Sequence, residues 1–430
     1  MRNIFIIIIC FQTLQINSQN DKTIDWINNN AIKIEDANPD TELLSFKNNT
    51  PEKFANAKIF GFGEATHNGK EFFDIKAKFF KHLVITQDVK VFIMEDQYQT
   101  ESGINEWISG GKGDIKTIGE NFKIVFWNCK EVVNLLQWMR NYNLNKHGEE
   151  QIRFYGMDVQ FGKNINHEIR DFVKRYEIPI NEELLMVADS CANKKVKYNE
   201  STNWATIQIP KLKEIEQIIL DFKSNNKESN NQEFNSIIRA INYLIKYTHL
   251  TQNFKEEVRD LKMFENVKWI IDNEAKNGKA FVWAQNEHIN KKEFSYSGSG
   301  IINLGNHLKN YYKDDYYSVG FDFGIGELRG LIREKNKPNY WKTYQMEKPF
   351  RKTYAETLFK ANGDIYFIDM DKALNSDSTN FFGIKKKQLM IGAGGYQPKP
   401  MYKNFTGHIY TEAYDGLIFV KKISPVTQFY

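Results

Sequence analysis

The sequence predicts an α/β fold: a central, parallel-rich sheet flanked by helices, with a helical insertion. Three observations carry this. Short apolar runs suited to buried strands alternate with amphipathic helical stretches, as in a parallel sheet covered on both faces. Residues 163–265 contain no convincing strand and are rich in Lys, Glu and Asn, so they read as helices inserted between two strands. Of the 430 residues 41% are hydrophobic and 14% aromatic, with 32 Phe and 21 Tyr, ample material for a core.

The elements follow in order. Residues 1–18 begin Met-Arg-Asn, continue with the apolar run 4–11, and end in a polar stretch closed by Ser18. One positive charge, a short apolar run and a small residue near its end make up an export signal. The run is too short to cross a bilayer. A cut after Ser18 leaves Gln19 first, and a periplasmic or secreted protein is expected. The alternatives are an apolar terminus or a buried first strand. Cys10 follows Ile9, whereas a lipid-anchored cysteine needs a small residue before it.

Residues 24–48 read as helix and then as loop around Asn38-Pro39. The first buried strand is 57–63. A helix follows, with Phe72, Phe73, Ile75, Phe79, Phe80 and Leu83 at helical spacing. The second strand is 89–94. Residues 129–143 form a helix with Val132, Leu135, Leu136 and Met139 on one face. The third strand is 152–157, the fourth 279–284 and the fifth 317–323. Residues 225–232 are the most polar stretch of the insertion and read as a loop. Further strand-like runs lie at 365–368, 388–391 and 416–420. No internal repeat is visible.

Composition bounds the partners. The 58 basic and 54 acidic residues leave a formal charge of +4, no footprint for nucleic acid. Loss of residues 1–18 removes one base, leaving +3. A mean hydropathy of −0.56 excludes a multi-span membrane protein. Three cysteines cannot make a disulfide framework, and after export Cys129 and Cys191 remain. Whether they pair depends on their separation. Length alone allows two to three domains, or one α/β domain with insertions. Strands on both sides of the insertion favour one domain over 19–430.

Ligands of open α/β sheets bind beyond the carboxyl ends of the strands. Strand one leads to Glu64 and His67, strand two to Glu95, strand three to Asp158, and strand four to Gln285, Asn286, Glu287 and His288. Asp322 and Gly324 end strand five. In Gly61-Phe62-Gly63-Glu64-Ala65-Thr66-His67 the glycines permit a sharp turn, and Glu64 sits three residues before His67. A carboxylate beside an imidazole orients a general base. The same pair also reads as a helix cap. Taken alone, Glu95 and Asp158 read as structural acids and His288 as a satisfied histidine. Position 66 is Thr, so a dinucleotide fingerprint fails. There is no Gly-x-Ser-x-Gly elbow, P-loop, His-Glu-x-x-His or Cys-x-x-Cys. No cofactor is expected, and a divalent metal held by His67, His288 and a carboxylate is left open.

Several separated blocks resemble the erythromycin esterase family. They are Gly63-Glu64-Ala65-Thr66-His67 with Glu71-Phe72-Phe73, Phe92-Ile93-Met94-Glu95, Trp127 with Glu131 and Trp138-Met139-Arg140, and Phe154-Tyr155-Gly156-Met157-Asp158. Arg259-Asp260 with Asn266, and Val282-Trp283-Ala284-Gln285-Asn286-Glu287-His288, complete the set. The resemblance covers roughly 50–330. It implies a hydrolase of ester bonds, whose best-known relatives open macrolide lactones. It implies His67 as general base, Glu64 and Glu95 as active-site carboxylates, and His288 as the second histidine of the late motif. Lys76, Gln285 and Asn286 would bind substrate, a small ester or lactone. The chain departs from the family at two of these. Gln285 stands where the family has a histidine, and Lys76 where it often has arginine. A glutamine cannot exchange a proton at neutral pH, and a lysine lacks the guanidinium fork. The rival expectation is a binding or surface-assembly protein that keeps the fold without turnover. Trp127, Trp283 and Tyr98 line a pocket or pack the core.

Overall fold

Nearly every apolar run read as a strand is one. The computed structural model describes residues 21–119, 122, 124–196, 203–226, 231–252, 254–293, 300–376 and 380–428. Its strands are β1 (Ile32–Lys33), β2 (Ile59–Phe62), β3 (Val91–Gln97), β4 (Arg153–Asp158), β5 (Ala280–Trp283) and β6 (Tyr316–Ile332). Then come β7 (Tyr340–Met346), β8 (Ile365–Asp369), β9 (Lys386–Leu389), β10 (Phe405–His408) and β11 (Gly416–Ile423). The main sheet runs β1-β8-β11-β6-β2-β5-β3-β4, with β7 paired to β6. From β11 to β4 every neighbour is parallel. β1, β8 and β7 add antiparallel edges.

The side-chain alternation of these strands assigns the two faces. Phe60, Phe62, Phe92, Met94, Phe281 and Trp283 enter one core, with the helices Lys70–Gln87 and Lys130–Asn143. Ile59, Val91, Ile93, Ala280, Val282 and Ala284 enter the other, with Glu256–Glu274 and Leu304–Tyr312. Both faces are therefore covered, which is why β2, β3 and β5 carry no exposed residue. Each fully buried Phe in this lattice contributes about 1.5–3 kcal/mol.

The inserted segment has its own core. Helices Ile165–Arg175, Glu182–Asn193, Trp204–Asn225 and Asn231–Gln252 share a third cluster. The fifth helix, Glu256–Glu274, instead packs on the sheet, where Asn266 Nδ2 donates to the Met157 carbonyl at 2.8 Å. The polar stretch 225–232 joins two helices, and its residues 227–230 lie outside those described. So do residues 1–18.

Three features differ from the sequence reading. β6 runs on to Ile332 and forms a hairpin with β7. Its outer half alternates buried and partly exposed residues, and so lacks the solid apolar run of its first half. Residues 24–48 hold the helix 21–30, the two-residue β1 and the short helix Leu44–Asn48. Gly61 and Gly63 are required by close approach and not by a left-handed turn. A Cβ on Gly61 would lie 2.6 Å from Tyr316 Oη, and one on Gly63 2.1 Å from Asn286 Oδ1.

Candidate active site

β2 and β5 are neighbours, yet the chain leaves β2 for β3 on the far side of β5. Such a reversal marks the sheet edge at which ligands of open α/β sheets bind. The turns after β2, β3 and β5 meet there, stitched by three consecutive residues. The Ala284 carbonyl accepts from Lys76 Nζ at 3.3 Å. The Gln285 N–H donates to Glu95 Oε2 at 3.0 Å. The Asn286 N–H donates to the Glu64 carbonyl at 3.1 Å.

The β2 turn is strapped on both sides. Ile391 N donates to the Ala65 carbonyl at 2.8 Å, and Val426 N to the Asn68 carbonyl at 3.0 Å. The helix after it is capped by Gly69 without a side-chain bond, so Glu64 and His67 do not cap it. Instead His67 Nδ1 lies 3.0 Å from Glu64 Oε1, and Lys76 Nζ bonds the other oxygen, Oε2. Phe126 stacks on the imidazole at 5.2 Å and Trp127 meets it edge-on at 5.3 Å. Lys76 is wholly buried, its Nζ 4.0 Å from the Trp283 ring centroid. Burial pushes the Lys76 ammonium down to about 8, although Glu64 pulls the other way.

The second half centres on Glu95. Its Oε1 accepts from Arg259 Nη2 at 2.9 Å and lies 3.3 Å from His288 Nε2. Arg259 also clamps Asp158 with Nε at 2.9 Å and Nη2 at 2.8 Å. His288 Nδ1 sits 2.7 Å from Asp260 Oδ1, which also accepts from the Leu304 N–H at 2.9 Å. Burial and Arg259, whose Nη1 lies 3.2 Å from His288 Nε2, oppose charge on His288, but Asp260 and Glu95 outweigh them and hold the imidazole well above its ordinary pKa. Burial likewise opposes charge on Glu95, and His288 and Arg259 hold it well below the carboxylate range. Trp127 Nε1 donates to the Glu95 carbonyl at 2.8 Å.

The structure thus places Glu64, His67 and Lys76 in one bonded group and Glu95, Arg259 and His288 in another, joined through the backbone of residues 284–286. The Gln285 amide is occupied, Nε2 donating to the Ile391 carbonyl at 3.2 Å. Asn286 lies behind the site. Its Nδ2 donates to the Phe321 carbonyl at 2.7 Å and its Oδ1 accepts from Phe321 N at 2.9 Å, so it braces β5 against β6. Tyr98 lies elsewhere, bonding Glu168 and packing its ring at a tilt against Tyr243 of the insertion. Arg259, Asp260 and the role of Asp158 had no functional assignment from sequence. Their signal is a pair of charges on the helix face that carries Met263, Asn266 and Val267. Among the described residues no group of three or more His, Cys, Asp and Glu side chains is arranged to hold a metal. Cys129 and Cys191 are free, buried thiols in different clusters.

A model of the erythromycin esterase family matches residues 84–423. The chain belongs to the erythromycin esterase family. Among curated proteins, the erythromycin esterase type II of Escherichia coli is 23% identical over 82% of this chain and 90% of its own length. The putative hydrolase YbfO of Bacillus subtilis (strain 168) is 21% identical over 93% and 91%. Of solved structures, a protein from Bacillus cereus superposes with a TM-score of 0.81 at 22% identity, over 96% of this chain and 99% of that one. A mutant of the erythromycin esterase EreC in its open conformation gives 0.62 at 15%, over 92% and 97%. Family and relatives together support a hydrolase with the erythromycin esterase fold. No described helix is long and apolar enough to cross a membrane.

Proposed function

We propose that this protein hydrolyses an ester or lactone bond of a small molecule with water activated by His67. The observation that carries this reading is the buried Glu64–His67 pair, whose carboxylate is also held by Lys76. Glu64 accepts from Nδ1–H, which fixes the tautomer and leaves the Nε2 lone pair for a proton. Nε2 takes a proton from water as the oxygen attacks the carbonyl carbon. The carbonyl becomes a tetrahedral oxyanion. The imidazolium then returns the proton to the departing alkoxide, and a carboxylic acid and an alcohol result. His288, held as a cation by Asp260 and Glu95, and Lys76 supply positive charge for the oxyanion. A lost oxyanion donor costs about 3–4 kcal/mol. Nothing in these steps calls on a cofactor. The near-neutral chain suits a neutral or weakly charged ester, macrolide lactones among them. Residues 1–18 make it an exported enzyme in this reading.

The test compares wild type with His67→Ala on a panel of lactones and aryl esters, with and without a chelator. Loss of about 10²–10⁴-fold in kcat/KM is expected for a general base. Equal rates would remove His67 from the chemistry, and loss of wild-type activity on chelation would add a metal. One observation favours a second reading, a binding protein without turnover: Gln285 occupies a family histidine position and its amide is engaged by Ile391. If wild type is inert and Gln285→His gains esterase activity, that reading stands.

A further inference from the structure

Outside the main sheet, β9 and β10 form a two-stranded ribbon. Thr353 bridges Lys387 of β9, which sets Arg351 and Lys352 beside the run Lys385-Lys386-Lys387. These five cations line one open concavity of about 690 Å³ and share it, among the described residues, with a single carboxylate, Glu356. The concavity therefore carries net +4, as much as the formal charge of the whole chain. Glu356 is itself engaged, accepting from the Lys352 backbone N–H at 2.7 Å. None of the five cations forms an ion pair among the described residues, while lysines elsewhere, such as Lys53, Lys81, Lys262 and Lys291, are paired.

A run of lysines is most often a solvated convex face. This one is concave. Lys386 is partly buried and burial lowers its pKa, a penalty that Glu356 only partly offsets. Tyr402, 73% exposed, and Phe405 add aromatic surface to the lining. Like charges in a concavity focus the field and concentrate counter-ions. Its volume is in the range of a small-molecule site.

We propose that this concavity is a binding site for a small organic anion bearing two or more negative charges, such as phosphate, sulfate or carboxylate groups. The site does not depend on the hydrolase reading. It lies close to the catalytic candidates. Ile391, which pairs with Ala65, is four residues beyond Lys387, about 13 Å along an extended chain. Thr406 of the lining bonds Glu287 Oε1 at 2.9 Å, one residue from His288.

Calorimetric titration of the whole protein with inorganic pyrophosphate, and separately with citrate, tests this. Saturable one-site binding is expected, weaker as salt rises from roughly 50 to 300 mM. The double variants K385Q/K387Q and R351Q/K352Q should each bind at least about tenfold more weakly. Their side chains are exposed, so unchanged melting curves will separate lost binding from lost folding. No saturation below about 10 mM, or wild-type affinity in either variant, overturns the proposal. Sedimentation with phosphatidylglycerol vesicles in the absence of pyrophosphate binding also overturns it, in favour of a membrane surface.

Discussion

Arg259→Met tests the charge network directly. One guanidinium satisfies both Glu95 and Asp158, and neither carboxylate is more than 5% exposed. Methionine fills much of the volume but leaves the buried Asp158 without its cation and Glu95 with His288 alone. Breaking a buried pair by removing one partner costs about 3–5 kcal/mol. Unfolding entropy of about 2.1 cal/mol/K per residue over roughly 400 residues comes to about 0.8 kcal/mol/K. A loss of about 4 kcal/mol therefore lowers the melting temperature by about 5 °C. The assay is a thermal melt at pH 7, followed by ester hydrolysis well below the melting point. Glu95 also holds the Gln285 backbone, so a shift of its carboxylate displaces the β5 turn. Such a displacement costs about 10²-fold in rate. A melting temperature within 1 °C of wild type, estimated as about 0.8 kcal/mol, would refute the claim that Arg259 compensates these carboxylates.

The pH dependence of stability isolates His288. Its folded pKa is raised well above 6.5, so its contribution is complete below about 6.5 and is lost as pH rises through the raised value. Melting temperatures measured from pH 6 upward should therefore fall more steeply in wild type than in His288→Asn; parallel curves would show that the imidazole carries no such charge. Lys76 loses its proton near pH 8, so wild-type kcat/KM should decline above that value as Glu64 loses its counter-ion. Lys76→Arg keeps the charge and should move the alkaline limb up by at least about one pH unit; an unmoved limb would dissociate Lys76 from it.

Much of this fold is legible because buried parallel strands are apolar on both faces. The runs at 57–63, 89–94, 152–157 and 279–284 could scarcely be anything else, and each contains a strand. Where burial is one-sided or brief, the signal fades. The outer half of β6 and its partner β7 alternate polar and apolar residues, and β1 is two residues long. The site is legible to the same degree. Strand ends placed Glu64, His67, Glu95, Gln285 and His288 along one sheet edge, and the family resemblance singled Glu95 and His288 out, since alone they read as structural. A strand end does not fix which partner a side chain takes. That Asn286 turns back to Phe321, and that Arg259 reaches Glu95 from a helix more than a hundred residues away in sequence, depends on tertiary packing that no local pattern encodes.

The two histidines are set apart by what surrounds them. His288 faces two carboxylates, Asp260 and Glu95, and one of these is shared with Arg259. His67 bonds one carboxylate, Glu64, whose other oxygen is already taken by Lys76. A proton on His288 is thus held by two acids in a buried setting, and removing it would leave Glu95 and Asp260 facing each other with Arg259 alone between them and neutrality. Such a group suits fixed positive charge better than proton exchange. The His67 imidazole bonds that one carboxylate, Glu64, alone, and Glu95 reaches it only through its field. Glutamine at 285 fits the same division, since it adds a neutral amide where another imidazole would add a third titrating group. The roles assigned to the two histidines therefore rest on the number of carboxylates each one pairs with directly. They would be inverted if His67→Ala kept its turnover while His288→Asn lost the proton-transfer limb of the pH–rate profile.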